Sequence, residues 1–286
     1  MTGQYMDLDY TGLDEILHNA LREDAGSGDI TTASCVPVKS LSIGEFTAKE
    51  PGVICGLGVA ARVFELLDKT VIITPLVSDG SHVSPGAAVA EIEGPSRSIL
   101  TGERTALNLL QHMSGIATRT AAAVLAVSGT GAMITDTRKT TPGLRILEKY
   151  AVRCGGGSNH RFNLADGVLI KDNHIKAAGG ITQAVNLARG RRPHTLKIEV
   201  EAETLAQVEE AVAAGADIIM LDNMTPKAMA AAVALIGGRA LTEASGNMGD
   251  LDNRALKAVA ETGVDYISIG ALTHSVKALD ISLKFS

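Results

Sequence analysis

Short apolar runs alternate with helix-like segments throughout the carboxyl-terminal half of this 286-residue chain. Six runs are visible, at residues 132–135, 168–170, 196–200, 218–221, 240–242 and 266–269. Segments such as TLAQVEEAVAAGA and PKAMAAAVALIGG separate them. This alternation predicts an α/β fold with a parallel sheet and helical crossovers.

Polar or glycine residues follow every one of these runs. In chain order they are Asp136, Arg138 and Lys139, then Lys171 and Asp172, Glu201, Asp222 and Asn223, Glu243, Ser245 and Gly246, and Gly270. Buried strands whose carboxyl ends all turn polar are typical of a (β/α) barrel with its site at that rim. A doubly wound open sheet is the alternative, but it gathers its ligand at one switch point. We therefore expect an incomplete barrel with fewer than eight strands.

The amino-terminal part has a different pattern. Thr11 and Asp14 predict a capping box for a first helix. Residues 40–94 form short β-branched runs broken by glycine and proline around one helix, GVAARVFELLD. A long helical tract from about residue 99 to residue 128 follows, and an interruption near Ser114 and Gly115 is open. We expect domains at 1–112 and 113–286, with the last residues packing back on the first domain.

Composition excludes several classes of protein. Lys and Arg number 26 against 32 Asp and Glu, so the net charge of −6 argues against a bulk nucleic-acid binder. No apolar run reaches the roughly 18–20 residues of a membrane span, and the polar start MTGQYMDLDY does not resemble a signal peptide. Cys35, Cys55 and Cys154 are too far apart in sequence for a disulfide framework or a zinc motif. A cytoplasmic enzyme without membrane or nucleic-acid partners is expected.

Residues 135–174 concentrate positive charge in this acidic chain. The cations of this segment include Arg138, Lys139, Arg145, Arg153, Arg161 and Lys171. Cationic side chains beside glycine-rich backbone suit a multiply charged anion. A solvated surface charge remains the preferred interpretation for Arg145 and Arg153, whereas Arg138 and Lys139 directly follow a buried strand. The glycines at 155–157 fit an anion-binding nest and a flexible turn equally well.

Glu201 and Asp222 end adjacent strands of the predicted barrel. Their pairing fits a shared Mg²⁺, which takes carboxylate oxygens together with substrate phosphates. A helix cap or a salt bridge to a rim lysine is the alternative. Glu199 points the same way as Glu201 along a strand, so the pattern alone leaves open which of the two faces the site.

Two small-residue loops, EASGN at 243–247 and ISIGALTHS at 267–275, follow the last two strands. Loops there commonly bind phosphate through backbone N–H groups, and two tight turns are the alternative. Arg104 is expected in the first turn of a helix, where a cation opposes the helix dipole and suggests another partner. The G-x-G-x-x-A match at 56–61 lacks a βαβ setting and predicts only a turn before a helix.

Nine sequence motifs of this chain resemble those of a known protein family. ALREDAGSGDIT, GERTALNLLQHMSGIAT, TDTRKTTPGLRILEKYAV, GGGSNHR, LIKDNH, IEVE, LDNM, EASG and ISIGALTHS occur in this order over nearly the whole chain. Together they resemble the decarboxylating quinolinate phosphoribosyltransferase family of pentosyltransferases. A molybdenum-associated sister group with another acceptor shares parts of these motifs and stays open, as do a non-catalytic anion-binding barrel and a barrel lyase using Lys171.

The resemblance implies an amino-terminal open-faced α/β sandwich, a carboxyl-terminal α/β barrel and at least a homodimer. The implied substrates are quinolinate and phosphoribosyl pyrophosphate with Mg²⁺, in NAD biosynthesis. By this resemblance, Arg104 reaches into a neighbouring subunit's site, and the quinolinate pocket is lined by Arg138, Lys139, His160, Arg161 and Lys171. Glu201 and Asp222 match positions near the ribose and pyrophosphate. The 5′-phosphate loops match Ser245, Gly246 and Gly270. Lys139, Lys171, Glu201 and Asp222 are the expected catalytic residues.

At two positions the role implied by the family resemblance is less direct. The family motif reads SGG where this chain has Asn247, and asparagine tolerates the positive φ that the second glycine suggests. His160 either hydrogen-bonds a substrate carboxylate or is a structural histidine that orients its loop.

Overall fold

The computed structural model describes residues 12–250 and 252–286, so Thr11 of the expected capping box lies outside the described residues. The chain divides into two compact units. One comprises Met1–Ala121, Thr141–Gly156 and Ser275–Ser286, and the other comprises Ala122–Thr140 and Gly157–His274. Both units are discontinuous in sequence, and the expected boundary at residue 112 lies within a single long helix.

The first elements in chain order are α1 (Leu13–Ala25), α2 (Ile30–Cys35), β1 (Leu41–Ala48), β2 (Gly52–Val53), α3 (Leu57–Leu67), β3 (Ile72–Pro75), β4 (His82–Val83), β5 (Ala88–Pro95) and α4 (Ser96–Ala126). They are followed by β6 (Met133–Thr135), α5 (Arg145–Cys154), β7 (Val168–Ile170), α6 (Asp172–Ala178), α7 (Ile181–Arg191), β8 (Ile198–Ala202), α8 (Leu205–Ala214) and β9 (Ile218–Asp222). The last are α9 (Pro226–Ile236), β10 (Leu241–Ser245), a 3-10 turn (Met248–Asp250), α10 (Asn253–Ala260), β11 (Tyr266–Ser268), α11 (Ala271–His274) and β12 (Ile281–Phe285).

The first unit is built on a four-stranded antiparallel sheet in the order β12–β1–β5–β3. Alternate residues of β1 face opposite sides, so Phe46 is buried while Ile43 is exposed. Ile92 of β5 is buried on the same side as Phe46, and Ile72 of β3 is exposed. One face of the sheet is therefore covered and the other is open, as expected for an open-faced sandwich.

Helix α4 runs from Ser96 to Ala126 without the interruption considered near Ser114. The Ser114 hydroxyl accepts the N–H of Cys55 at 2.9 Å, and a Cβ on Gly115 would collide with the Lys277 carbonyl. The small residues thus mark close packing against the helix. Because α4 begins at Ser96, Arg104 is in its third turn, and the expectation of a first-turn position is wrong.

The second unit is a six-stranded parallel sheet in the order β6–β11–β10–β9–β8–β7. The first strand of the series lies beside the last, which is the strand order of a barrel. Among the described residues the ladder is open only between β6 and β7, and we call this gap the seam. The expected incomplete barrel is confirmed.

Side chains alternate between the two faces of this sheet. Ile198, Val200, Ile219, Leu221 and Ile267 are fully buried on the face that the crossover helices cover. The intervening positions face the barrel interior and include several carboxylates. Much of the apolar core therefore lies between the sheet and the helices, and the barrel interior combines carboxylates with apolar side chains such as Met220 and Leu241.

The strands match the predicted runs closely, with one consequential difference. Strand β10 extends to Ser245, whereas the predicted run ended at residue 242. Glu243 is therefore the middle residue of a strand and not a residue beyond its end. No helix among the described residues has the length and apolar content that crossing a membrane requires.

Candidate active site

The rim of the barrel brings a cation and a carboxylate together at β7 and β8. Lys171 directly follows β7, and its Nζ lies 3.1 Å from Oε2 of Glu201 on β8. Glu201 is nearly buried, whereas half of the Lys171 side chain is exposed. This is the rim-lysine contact that the sequence left open as an alternative to metal binding.

Carboxylates gather at the same part of the rim. Oxygen atoms of Glu201, Glu203 and Asp222 all lie within 4.8 Å of one another. Asn223 donates its amide N–H to Oδ2 of Asp222 at 2.7 Å and so orients that carboxylate. Three carboxylates at this spacing suit a hard cation with oxygen ligands. Glu203 lies in the loop after β8, and sequence reasoning missed it because exposed glutamates in loops are common.

Two asparagines in left-handed conformation follow neighbouring strands. Asn223, after β9, has a φ of 53°, and Asn247, after β10, has a φ of 52°. The N–H of Asn223 donates to the Ser245 carbonyl at 3.0 Å, which joins the two strand ends. Gly246, which directly precedes Asn247, has a φ of 93°. The expected positive φ at Asn247 is confirmed.

Gly270 permits a close approach between the ends of β6 and β11. A Cβ at Gly270 would lie 3.0 Å from Cδ of Lys139 and 3.3 Å from the His274 ring. The Thr273 hydroxyl donates to the Lys139 carbonyl at 2.7 Å. The lysine predicted to bind an anion and the glycine predicted to bind phosphate are thus neighbours.

A buried aspartate ties residues 158–161 to β6. Asp136 is fully buried, and its carboxylate accepts the Asn159 amide N–H at 2.6 Å and the His160 backbone N–H at 2.9 Å. Ser158 also pairs with β6, since its N–H donates to the Ile134 carbonyl at 2.8 Å. These bonds use the edge of β6 that does not face β11.

His160 lies between two buried carboxylates inside the barrel. Its Nε2 is 3.1 Å from Oε2 of Glu199 and 3.5 Å from Oε2 of Glu243. Its Nδ1 accepts the backbone N–H of Arg161 at 2.8 Å. Burial, with the negative charge of Glu199, raises the pKa of Glu243 to about 7. Sequence patterns show no sign of this contact, because its partners lie on three separate segments.

A cavity of about 310 Å³ is lined by His160, Glu199 and Glu243. Its walls include the first residues of four strands, Val168, Ile218, Leu241 and Tyr266, so it lies at the amino-terminal end of the barrel. His160 and Arg161 line this cavity. Arg161 donates from its guanidinium to the Gly167 carbonyl at 3.1 Å, and burial lowers its pKa with a smaller effect from nearby Arg138.

Other predicted residues lie in the first unit. Arg104 is exposed on α4, Arg145 begins α5, and Arg153 is exposed over the Tyr150 ring at 5.8 Å. Gly155 packs against Ala117 and Thr120, where a Cβ would collide, so this glycine serves close packing. Gly56 precedes α3 with a φ of 105°, which confirms a turn before a helix.

The structure brings two cysteines together that are distant in sequence. Sulfur atoms of Cys55 and Cys154 and an oxygen of Asp79 lie within 4.8 Å of one another. Asp79 already accepts the N–H groups of Gly56 and Leu57 and the Tyr150 hydroxyl. Burial raises the pKa of the Cys55 thiol, which disfavours the thiolate that a metal requires. Sequence separation was a poor guide to this contact, but its chemistry is that of a packed core.

Replacement of Asn247 tests the left-handed turn. We expect Asn247→Ala to lower the free energy of unfolding by about 1 kcal/mol, since alanine has a Cβ and no compensating side-chain hydrogen bond at positive φ. Asn247→Gly should leave it nearly unchanged. Denaturant unfolding measures both, with Asn186→Ala on the exposed face of α7 as the control. A loss in Asn247→Gly equal to that in Asn247→Ala would contradict this explanation.

Glu243 makes stability depend on pH. Its pKa rises from the ordinary 4.5 to about 7 on folding, so the folded state binds more protons between these values. The stabilisation is complete below about pH 4.5 and is lost as the pH rises through about 7. Glu243→Gln cannot titrate. Its unfolding temperature relative to the unmodified protein should therefore increase from about pH 5 to about pH 8, as measured by calorimetry. A constant difference would contradict the shift.

Comparison with known proteins agrees with this architecture. The family model "Quinolinate phosphoribosyl transferase, N-terminal domain" matches residues 29–114, and the model of the C-terminal domain matches residues 116–284. A probable nicotinate-nucleotide pyrophosphorylase [carboxylating] of Bacillus subtilis is 46% identical over 276 residues, covering 96% of this chain and 94% of the relative. A quinolinate phosphoribosyltransferase [decarboxylating] of Nicotiana tabacum is 42% identical over 288 residues, covering 94% and 81%.

The solved structures agree with the sequence relatives. The crystal structure of NadC from Streptococcus pyogenes superposes with a TM-score of 0.92 at 46% identity, covering 98% of this chain and 99% of that one. Matches to both domain models, together with relatives of this identity over nearly the full length, show the family. The chain therefore belongs to the quinolinate phosphoribosyltransferase family.

Proposed function

We propose that this chain is a decarboxylating quinolinate phosphoribosyltransferase. It converts quinolinate and phosphoribosyl pyrophosphate to nicotinate mononucleotide, pyrophosphate and CO₂. Membership of the family over both domains carries the proposal. The rim that gathers Lys171, Glu201 and Asp222 supports it, because it offers opposite charges side by side for a reaction that separates charge.

Quinolinate is a pyridine dicarboxylate, and its two negative charges select for cations. Arg138, Lys139 and Lys171 follow the two strands on either side of the seam, and we assign them to its carboxylates. Arg161 is a further cation of the same region, held at the barrel interior. Guanidinium forks and ammonium groups bind carboxylates without aromatic stacking, which suits a chain with no tryptophan.

The transfer step needs carboxylates near the ribose. Breaking the bond between ribosyl C1 and the pyrophosphate oxygen leaves positive charge on the sugar and negative charge on the leaving group. We assign Glu201 and Asp222 to this sugar cation, which preorganised carboxylates stabilise. The pyridine nitrogen then bonds to C1. Its positive charge accepts the electron pair of the adjacent carbon–carboxylate bond as CO₂ leaves, and the ring carbon takes up a proton.

Magnesium is the expected metal cofactor. Glu201, Glu203 and Asp222 supply the hard oxygen ligands that it prefers, at a spacing compatible with one ion. When bound together with the substrate phosphates, the ion supplies positive charge for the departing pyrophosphate. Lys171 is paired with Glu201, so a substrate carboxylate that binds Lys171 and a metal ion that binds Glu201 would each replace one partner of this ion pair.

The 5′-phosphate is assigned to the turns after the last two strands. Ser245, Gly246 and Asn247 form one turn and Gly270 begins the other. Backbone N–H groups in such turns bind a phosphate without a side-chain charge. We further propose a homo-oligomer, a dimer or a hexamer built from dimers, in which Arg104 enters the neighbouring subunit's site. The cytoplasmic location stays a prediction.

A product assay tests the proposed function. Purified protein that is mixed with quinolinate, phosphoribosyl pyrophosphate and Mg²⁺ should form nicotinate mononucleotide, which is detected by chromatography. Chelation of the metal should abolish product formation. Absence of product from folded protein would overturn the proposal. Product from a different acid under the same conditions would instead favour the molybdenum-associated sister group.

Mixing variants tests the shared site. Arg104→Ala and Arg138→Ala should each be inactive, because each removes one cation of every site in the oligomer. Subunit exchange between them forms some sites with both arginines intact, so the mixture should recover part of the activity. Mixing each variant with itself is the control. No recovery after exchange verified by mass spectrometry would contradict the donation of Arg104.

A further inference from the structure

Two cysteine sulfurs lie close together inside the first unit. Cys55 precedes α3 and Cys154 is the last residue of α5. Their Sγ atoms lie within 4.8 Å of each other, and neither forms a disulfide in this structure. The sulfurs of a disulfide are about 2 Å apart, so bond formation requires an approach of at most about 2.8 Å. Rotation about the two Cα–Cβ bonds moves the sulfurs over a comparable distance.

Helix α4 holds the backbone beside both cysteines. The Ser114 hydroxyl accepts the Cys55 N–H at 2.9 Å and donates to the Cys55 carbonyl at 3.2 Å. Gly155, which follows Cys154, packs so closely against α4 that a Cβ there would collide with the Ala117 carbonyl. Ser114 and Ala117 are three residues apart and so lie on the same side of the helix. One turn of α4 therefore supports both members of the pair.

The turn before β4 joins the same two segments. Oδ2 of Asp79 accepts the N–H of Gly56, the residue after Cys55, at 3.0 Å. The same oxygen accepts the Tyr150 hydroxyl of α5 at 2.8 Å. The segment that contains Cys55 is thus fixed to α5 through Asp79 as well as through α4. These contacts keep the two sulfurs near each other in the folded protein.

The two thiols differ in their access to solvent. Cys55 is fully buried, whereas Cys154 is partly exposed. Burial, with smaller effects of the Cys154 thiol and the Asp79 carboxylate, raises the pKa of the Cys55 thiol. Cys55 is therefore a neutral thiol that reagents in solution do not reach. Cys154 is the member of the pair that such a reagent meets first.

We propose that Cys55 and Cys154 form a reversible disulfide when the protein meets a hydroperoxide. The Cys154 thiolate attacks a peroxide oxygen, the O–O bond breaks, and the leaving hydroxide takes up the proton that Cys154 lost. The sulfur of Cys55 then attacks the resulting sulfenic acid, the S–O bond breaks, and the hydroxyl group leaves with the Cys55 proton as water. Hydrogen peroxide accepts two electrons from the thiol pair and becomes two molecules of water.

A disulfide suits this site better than a metal ion does. The bond carries no charge, so it is compatible with a buried sulfur that disfavours the thiolate. Disulfides that form in reducing compartments are mostly transient and respond to oxidants. The exposed side of Cys154 gives a thiol reductant access to the bond, so the oxidation is reversible. This inference is independent of the proposed function, because it involves no substrate.

The principal test uses the unmodified protein without denaturant. The protein is treated with hydrogen peroxide, remaining thiols are blocked with N-ethylmaleimide, and the unreduced digest is analysed by mass spectrometry. The peptide of Cys55 should be linked to the peptide of Cys154, and dithiothreitol should break the link. Cys55 left as a thiol, whatever the state of Cys154, would overturn the proposal. Linkage of either residue to Cys35 in place of this pair would also overturn it.

Two matched serine variants test the order of the reaction. Cys35 is exposed on α2, and its Sγ donates to the Thr31 carbonyl at 3.0 Å, a bond that serine can keep. Cys35→Ser should therefore form the link to the same extent as the unmodified protein. In Cys154→Ser, oxidation of Cys55 should fall at least about tenfold, because peroxide cannot reach the buried thiol directly. Oxidation of Cys55 at the unmodified rate in this variant would overturn the role of Cys154.

Thermal unfolding tests whether the folded structure accommodates the bond. The link closes a long loop, so oxidised Cys35→Ser should have a Tm about 5 °C or more above that of its reduced form. The double variant Cys35→Ser/Cys154→Ser should have the same Tm before and after peroxide. Calorimetry measures both. An equal or lower Tm for the linked protein would show that the bond distorts the fold and would overturn the proposal.

Discussion

Two carboxylates meet one imidazole inside the barrel, and the burial of these carboxylates depends on that contact. Removing Glu199 and Glu243 from water is costly unless each finds a donor or loses its charge. His160 supplies the donor at 3.1 Å, and the raised pKa of Glu243 lets that group carry a proton near neutral pH. Buried carboxylates inside the barrel are therefore compatible with a stable fold.

Side chains of both charge signs lie close together at the rim of the barrel. Lys171 and Glu201 form an ion pair at 3.1 Å, and carboxylate oxygens of Asp222 and Glu203 lie within 4.8 Å of Glu201. Under the proposed function, a dianionic acceptor would bind the cations of the rim, and a metal–pyrophosphate partner would bind its carboxylates. The acidic chain would then bind polyanions through local positive charge and backbone N–H groups, so its net charge of −6 says little about the proposed site.

Alternation of runs and helices predicted the parallel sheet and the rim, because both depend on neighbours along the chain. The positive φ at Asn247 was likewise predictable from one residue type at one position. The interior contact of His160 was not, since Glu199 and Glu243 are distant in sequence and Glu243 does not look like a strand residue. The start of α4 at Ser96, which moves Arg104 to the third turn, also escaped prediction because no capping pattern marks it.

Tyr266 gives the chain a built-in optical probe. It begins β11 and lines the interior cavity, and the chain has no tryptophan whose indole would dominate ultraviolet emission. The other tyrosine among the described residues, Tyr150, donates its hydroxyl to Asp79 in the first unit. Phenylalanine at Tyr5, Tyr10 and Tyr150 together would leave Tyr266 as the one tyrosine of the sequence. Changes in hydration inside the barrel would then be followed by its fluorescence without attaching a dye.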